Sequence, residues 1–236
     1  MNLKFALLTT NNHPLIDGYL SAMEKNNVER FGVFLDSKIL SEKNIDFIKS
    51  RTGNWDLANK YGYSRYKQGY KIPFFYTESH NSNQIINLVK DNNLEFLVNA
   101  GTPRKISPEI IKLLPKGILN VHPGNLPKYR GQDSPEWALF NNDPIEVTAH
   151  LMGEEYDNGP IILSKIVKTE LSETYQYFRR NIYENIFEVT ALASNYLLST
   201  DKVDLPKDIN ENYKLHNAMP KNILKELIKN NFKSDK

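Results

Sequence analysis

The sequence predicts an α/β fold in which a mostly parallel sheet is covered by helices on both faces. Short apolar runs at residues 3–8, 31–35, 94–100 and 117–122 are separated by polar turns and by stretches with apolar residues at helical spacing. Strands that alternate with helices in this way pair in parallel, with the helices packed over the sheet. At 236 residues, the chain has room for one large core and a small appendage.

Residues 3–8 form a buried-strand run that gives way to a polar loop, Thr9-Thr10-Asn11-Asn12. Leu15, Ile16, Tyr19, Leu20 and Met23 then recur at helical spacing over residues 14–25, and Pro14 suits a first turn. Residues 31–35 give the next strand. Ser41 precedes a helical pattern carrying Ile45, Phe47 and Ile48, with Glu42 and Asp46 as early acids. Residues 53–71 fit neither period and read as an insertion rich in tyrosine and basic residues. The alternation then resumes with a strand at 72–76, a helix at 83–90, a strand at 94–100, a helix at 108–114 and a strand at 117–122.

Residues 137–140 suggest a short helix, and residues 146–152 alternate as a strand with one covered face. A further strand spans 161–167, and 174–199 carries the longest helical pattern. Two β-compatible runs flank Asp208-Ile-Asn-Glu-Asn and permit a hairpin. Ile223, Leu224, Leu227 and Ile228 then mark an amphipathic final helix. The whole reads as a Rossmann-like domain over residues 1–200 with a tail of hairpin and helix over 201–236. Ligands in such sheets sit beyond the carboxyl ends of the strands, so the loops at 9–13, 100–105 and 122–131 are the candidate site.

Composition narrows the chemistry. Cysteine is absent, which excludes disulfides, thiolate metal sites and cysteine nucleophiles. A net charge of +2 without a long basic block argues against a nucleic-acid partner. No apolar run is long enough to span a bilayer, and the opening apolar run is too quickly broken for a signal peptide, so a cytoplasmic protein with no membrane partner is expected. No metal site is expected.

The informative segments are 118–131 and 156–160. Asn120 and His122 lie two apart on a strand, so both side chains leave one face and are expected to converge on one substrate atom. Pro123, Gly124 and Pro127 force a turn with little side-chain bulk, expected to leave backbone accessible to a ligand. Acyl transfer between two nitrogens passes through a tetrahedral intermediate. It needs an oxyanion donor, a proton acceptor for the attacking amine and a group that holds the acceptor. The amide of Asn120, the imidazole of His122 and the carboxylate of Asp157 are of the right types.

Residues 94–163 resemble the folate-dependent formyltransferase family. Its signature of Asn-x-His, Leu-Pro, Arg-Gly and a distant Asp-x-Gly stands here as Asn120-Val-His122, Leu126-Pro127, Arg130-Gly131 and Asp157-Asn-Gly159. The resemblance implies Asn120, His122 and Asp157 as the catalytic set and N10-formyltetrahydrofolate as the formyl donor. It also implies a pterin pocket between two loops. One holds Asn99, Ala100, Gly101, Thr102 and Ile106, and the other Met152, Glu154 and Glu155, with Ile106 and Met152 as apolar walls.

The family includes glycinamide ribonucleotide, methionyl-tRNA and nucleotide-sugar formyltransferases. The first have a glycine-rich phosphate loop after the first strand, whereas residues 9–14 here hold no glycine. The second carry a further C-terminal barrel, for which residues 201–236 offer little room. Tyr129-Arg130-Gly131 followed by Trp137 resembles the third. The expected acceptor is therefore a nucleotide-linked amino sugar such as dTDP-4-amino-4,6-dideoxyglucose. Thr10, Asn11, Arg65, Tyr66, Lys67, Tyr70 and Arg130 are expected on the acceptor side, the tyrosines to stack on a base and the cations to meet a diphosphate. The tail is expected to pair two subunits as a homodimer. A non-catalytic folate-binding module and a hydrolase that releases formate from the same donor are the alternative readings.

Overall fold

The computed structural model describes residues 3–53, 55, 72–153, 155–170, 173–201, 203 and 213–234. In chain order the elements begin with β1 (Phe5–Thr10), α1 (Ile16–Lys25), β2 (Phe31–Asp36), α2 (Glu42–Thr52) and β3 (Phe74–Thr77). Then come α3 (Asn83–Asn92), β4 (Phe96–Asn99), α4 (Pro108–Leu113) and β5 (Ile118–His122). The chain continues through α5 (Ser134–Phe140), β6 (Glu146–Leu151), β7 (Ile161–Ile166), α6 (Tyr175–Ser199) and α7 (Lys221–Asn231). The strands form one seven-stranded sheet in the order β3-β2-β1-β4-β5-β6-β7. Strands β1 to β5 run parallel, and β6 and β7 add on as antiparallel neighbours.

Burial on both faces explains why the central strands read as unbroken apolar runs. Along β1, Phe5 and Leu7 pack into one core with Leu20 and Met23 of α1 and Phe178, Ile182 and Phe187 of α6. Ala6 and Leu8 point the other way, toward Ile85 and Val89 of α3 and Ile110 of α4. Local chemistry ends the helices where the sequence changes. The hydroxyls of Ser41, Ser107 and Thr174 accept from backbone N–H groups at the starts of α2, α4 and α6. Gly53 closes α2 in the left-handed region at φ 61°.

Two expectations change. Strand β1 continues through Thr9 and Thr10, which pair with Leu35 and Asp36 and are fully buried, so the first loop begins only at Asn11. Their hydroxyls misled the reading; ladder pairing with β2 decides the conformation. Helix α5 starts at Ser134, three residues before the expected 137–140, because Pro135 fits its first turn. The expected insertion lies outside the described residues apart from Gly53 and Trp55, as does most of the expected hairpin (204–212).

Helix α1 approaches α6 closely at Gly18, where a Cβ would overlap the ring of Phe187. Replacing Gly18 with Ala should destabilise the protein by about 1–3 kcal/mol through overpacking. Urea unfolding reads this as a lower midpoint at unchanged slope; an unchanged midpoint would contradict the packing.

Candidate active site

The carboxyl end of β4 and the adjoining stretches of β5 and β6 meet at a cavity of about 380 Å³. Asn99, Thr102, Ile106, Asn120, His150, Met152, Glu155 and Asp157 are among the residues that line it. Such a volume is within the roughly 300–1,000 Å³ of small-molecule sites.

Asn120 is oriented by a line of hydrogen bonds that runs in one direction. The N–H groups of Gly101 and Thr102 donate to Asn99 Oδ1 at 3.1 and 3.0 Å. Asn99 Nδ2 donates to Asn120 Oδ1 at 2.9 Å, and Asn120 Nδ2 lies 2.9 Å from His150 Nε2. His150 Nδ1 is 3.0 Å from the carbonyl of Leu151. A carbonyl only accepts, so Nδ1 carries the ring proton and Nε2 accepts from Asn120. Burial supports this neutral ring by pushing the His150 pKa down to about 4. An amide nitrogen has two hydrogens; one is held by His150, and the other is available to the cavity that Asn120 lines.

His122 departs from its expected place. It is buried and does not join Asn120 at the cavity wall. Its Nε2 lies 2.6 Å from the carbonyl of Tyr129 and 3.0 Å from Ser134 Oγ, so that nitrogen carries a proton. Nδ1 faces Asp157 Oδ1 at 3.3 Å. Gly124 does not open backbone to a ligand either. It is buried, and a Cβ there would stand 3.0 Å from His122 Nε2 and 2.9 Å from the Tyr129 carbonyl. Sharing a strand face brought His122 near Asn120, but the turn after it folds over the ring.

Asp157 connects this buried ring to the cavity. Its Oδ2 accepts from the N–H of Gly131 at 3.1 Å, and its Oδ1 lies 3.9 Å from His150 Nε2 as well as facing His122. Burial pushes this carboxyl up, but a proton on His122 Nδ1, through its hydrogen bond and charge, and the Gly131 N–H outweigh it and hold the carboxyl below its ordinary range. With Nε2 already protonated, Nδ1 is the basic nitrogen of His122. A proton taken up there forms an imidazolium beside a carboxylate. The glycine of the Asp-Asn-Gly element also has a physical reason, since a Cβ at Gly159 would overlap the carbonyl oxygen of Leu151.

The expected pterin loops face each other. Ile106 and Met152 line the cavity with Asn99, Thr102 and Glu155. Ala100 is fully buried and its N–H donates to Leu8, while Gly101 adopts φ 92° against the ring of His13. Glu154 lies outside the described residues, as do Arg65, Tyr66, Lys67 and Tyr70. Thr10 is buried with its hydroxyl on Asn12 Oδ1, and Asn11 is exposed on the first loop. The guanidinium of Arg130 is buried against the carbonyl of Tyr156 at 3.0 Å and Glu155 at 3.2 Å, so it braces the Asp157 loop.

Sequence reasoning missed His150 and a second anchor. Asp36, at the end of β2, takes a bidentate pair from Arg104 at 2.6 and 2.9 Å and the N–H of His80 at 2.8 Å. Thr102 is held by His80 Nδ1 at 2.7 Å, so the lining loop is tied to the neighbouring half of the sheet. His150 had one sequence signal, its place at the end of a strand just before the Asp157 loop. Among the described residues, no group of three or more His, Asp or Glu side chains could hold a metal ion.

The family model described as formyl transferase matches residues 20–189. The chain belongs to this family. A methionyl-tRNA formyltransferase of Borreliella burgdorferi is 36% identical over 91 residues, which cover 38% of this chain and 29% of that protein. The matched stretch is thus under a third of that relative's length. A 4-N formyltransferase from Francisella tularensis has a similar fold, with a TM-score of 0.59 at 17% identity over 93% of this chain and 78% of that one. The formyltransferase PseJ from Anoxybacillus kamchatkensis, solved with UDP-4,6-dideoxy-4-formamido-L-AltNAc and tetrahydrofolate, gives 0.51 at 18% identity, covering 94% and 89%. Phosphoribosylglycinamide formyltransferase from Streptococcus pneumoniae gives 0.57 at 17% identity, covering 84% and 99%. At these identities the likeness is one of fold. No helix among the described residues is long and apolar enough to cross a membrane.

The tautomer assigned to His150 is measurable. Its ring should stay neutral as pH falls from 7 toward 5, because its folded pKa is near 4. Titration by NMR should show constant His150 chemical shifts over that range, whereas a midpoint near the ordinary histidine value would contradict the hydrogen-bonded line.

Proposed function

We propose that the protein is an N-formyltransferase that moves the formyl group of N10-formyltetrahydrofolate to the amine of a nucleotide-linked amino sugar. The observation that carries the reaction is the joint presence at one cavity of an oriented Asn120 N–H and of Asp157, with His122 behind it. The donor fits the lining. Ile106 and Met152 offer apolar walls to a flat ring, and Asn99, Thr102 and the loop backbone offer polar groups to its edge. Bound there, it supplies an activated formyl carbon.

The chain's own residues then divide the work. The free hydrogen of Asn120 Nδ2 stabilises the negative charge that develops on the formyl oxygen as the amine attacks. Asp157, held ionised, orients the amine and passes its proton toward His122 Nδ1. The imidazolium so formed stays beside the carboxylate and returns its proton through Asp157, which lines the cavity, to the departing nitrogen.

The sugar acceptor is favoured by two features. Thr9 and Thr10 belong to β1, and the loop from Asn11 to Pro14 has no glycine to bring backbone N–H groups around a phosphate. A net charge of +2 suits a small nucleotide ligand better than a large polyanion. The fold is shared with a 4-N formyltransferase and with a formyltransferase solved with a UDP-linked formamido sugar, and the proposed product is a formamido sugar for a surface polysaccharide.

Incubation with formyltetrahydrofolate and a panel of dTDP- and UDP-linked amino sugars, glycinamide ribonucleotide and methionyl-tRNA tests this reading. Mass spectrometry should show formylation of one of the amino sugars; formylation of glycinamide ribonucleotide or methionyl-tRNA alone would overturn the acceptor. Replacing His122 with Asn should lower kcat by about 10²- to 10⁴-fold. Donor affinity, read by fluorescence titration, should hardly change, and a normal rate would contradict the role of the Asp157–His122 pair.

A further inference from the structure

We propose that the C-terminal segment 213–219 is a positioning strap for Asp157, acting through the backbone of Gly131. The inference rests on Asp157 belonging to the catalytic set.

His216 forms a parallel bridge with Gly131. Its N–H donates to the carbonyl of Arg130 at 2.8 Å, and its own carbonyl accepts from the N–H of Gln132 at 3.0 Å. An extended backbone points successive peptide groups to opposite edges. With Arg130 C=O and Gln132 N–H both taken by the strap, the N–H and C=O of Gly131 must face the other edge. They do: the N–H donates to Asp157 Oδ2 at 3.1 Å, and the C=O accepts from Ser134 Oγ at 3.0 Å. Ser134 is also one of the two groups on His122 Nε2. One residue of loop thus carries the tail on one edge and both members of the Asp157–His122 pair on the other.

The strap is anchored at His216 itself and just beyond it. The His216 ring sits between Tyr129 and Trp137, with centroids 5.6 and 5.5 Å away, and its Nε2 donates to the carbonyl of Lys128 at 3.3 Å. Trp137 Nε1 donates to the carbonyl of Asn217 at 3.0 Å, and the N–H of Met219 donates to Asp133 Oδ2 at 2.9 Å. Glycine at 131 is fixed by the same approach. Its φ is 99°, and a Cβ there would overlap the carbonyl oxygen of His216. The glycine of the Arg-Gly element therefore makes room for the chain's own tail.

His216→Pro removes the N–H that holds Arg130, while His216→Gln keeps every backbone bond and a side-chain donor. The proline variant should lose about tenfold or more in kcat, as small misplacements at a reacting centre do, with the donor KM within about threefold. Its kcat should also fail at higher pH on the acid side. Asp157 is faced by His122, His150 and the Gly131 N–H, and loss of the last lets its carboxyl rise toward the ordinary value. The glutamine variant, which keeps the backbone bonds but loses the ring contacts with Tyr129 and Trp137, should lose clearly less than the proline variant, about threefold or less in kcat. Trp137→Phe, which removes the bond to Asn217 and part of the ring contact with His216, should shift kcat and the acid limb in the same direction by less.

Unchanged kcat and acid limb in folded His216→Pro would overturn the strap, as would a loss of kcat with no shift of that limb. If the proline variant does not fold, Trp137→Phe decides by the same two readouts. Asp157→Asn, assayed beside them, separates the premises. Normal turnover there would remove the role of Asp157 itself, whereas an inactive Asp157→Asn with a normal His216→Pro would remove the strap alone.

Discussion

The fixed polarity of the hydrogen bonds around Asn120 is the constraint on which the site depends. An asparagine amide can present either its oxygen or its nitrogen, and the two choices have opposite chemistry. Here the choice is settled at both ends by backbone groups that cannot reverse. Gly101 and Thr102 can only donate, and the Leu151 carbonyl can only accept. Everything between them, Asn99, Asn120 and His150, takes the one arrangement that satisfies all partners. A neutral His150 is a condition of that arrangement, and burial between strands supplies it. The donor N–H is thus organised before any ligand arrives, which is the condition for electrostatic stabilisation without reorganisation.

The fold serves this constraint by bringing three neighbouring strands together. Asn99 ends β4, Asn120 lies on β5 and His150 is its register partner on β6. The parallel part of the sheet gives the first two, and the antiparallel addition of β6 gives the third. Farther out, Asp36, His80 and Arg104 tie the loop that carries Gly101 and Thr102 to the end of β2. Asp36 is buried and paired bidentately, so this tie is of the strong, charge-assisted kind.

Much of the framework was legible in the sequence, because strand and helix periods are local. Residues 94–100 and 117–122 read as strands from their apolar runs, and Asn120 and His122 could be put on one face from spacing alone. The motif glycines were visible as letters, but their reasons were not. Gly159 yields to Leu151, Gly124 to Ser134 and Gly131 to His216, and each of these contacts depends on how a loop closes. The division between Asn120 at the cavity and His122 beneath it also depends on the turn through Tyr129 and Ser134. Arg104 and Asp36 are 68 positions apart, and no local pattern marks such a pair. Thr9 and Thr10 show the converse error, in which polar side chains suggested a loop and long-range strand pairing prevailed.

The central claim is that Asn120 acts as a donor, and Asn120→Asp tests it most directly because it keeps the shape and exchanges the amide nitrogen for oxygen. Single-turnover formyl transfer with saturating donor should slow by about 10²- to 10³-fold, the usual cost of losing an oxyanion donor. Donor affinity should remain near the parent value, since the walls at Ile106 and Met152 are untouched. A transfer rate equal to that of the parent protein would contradict the account.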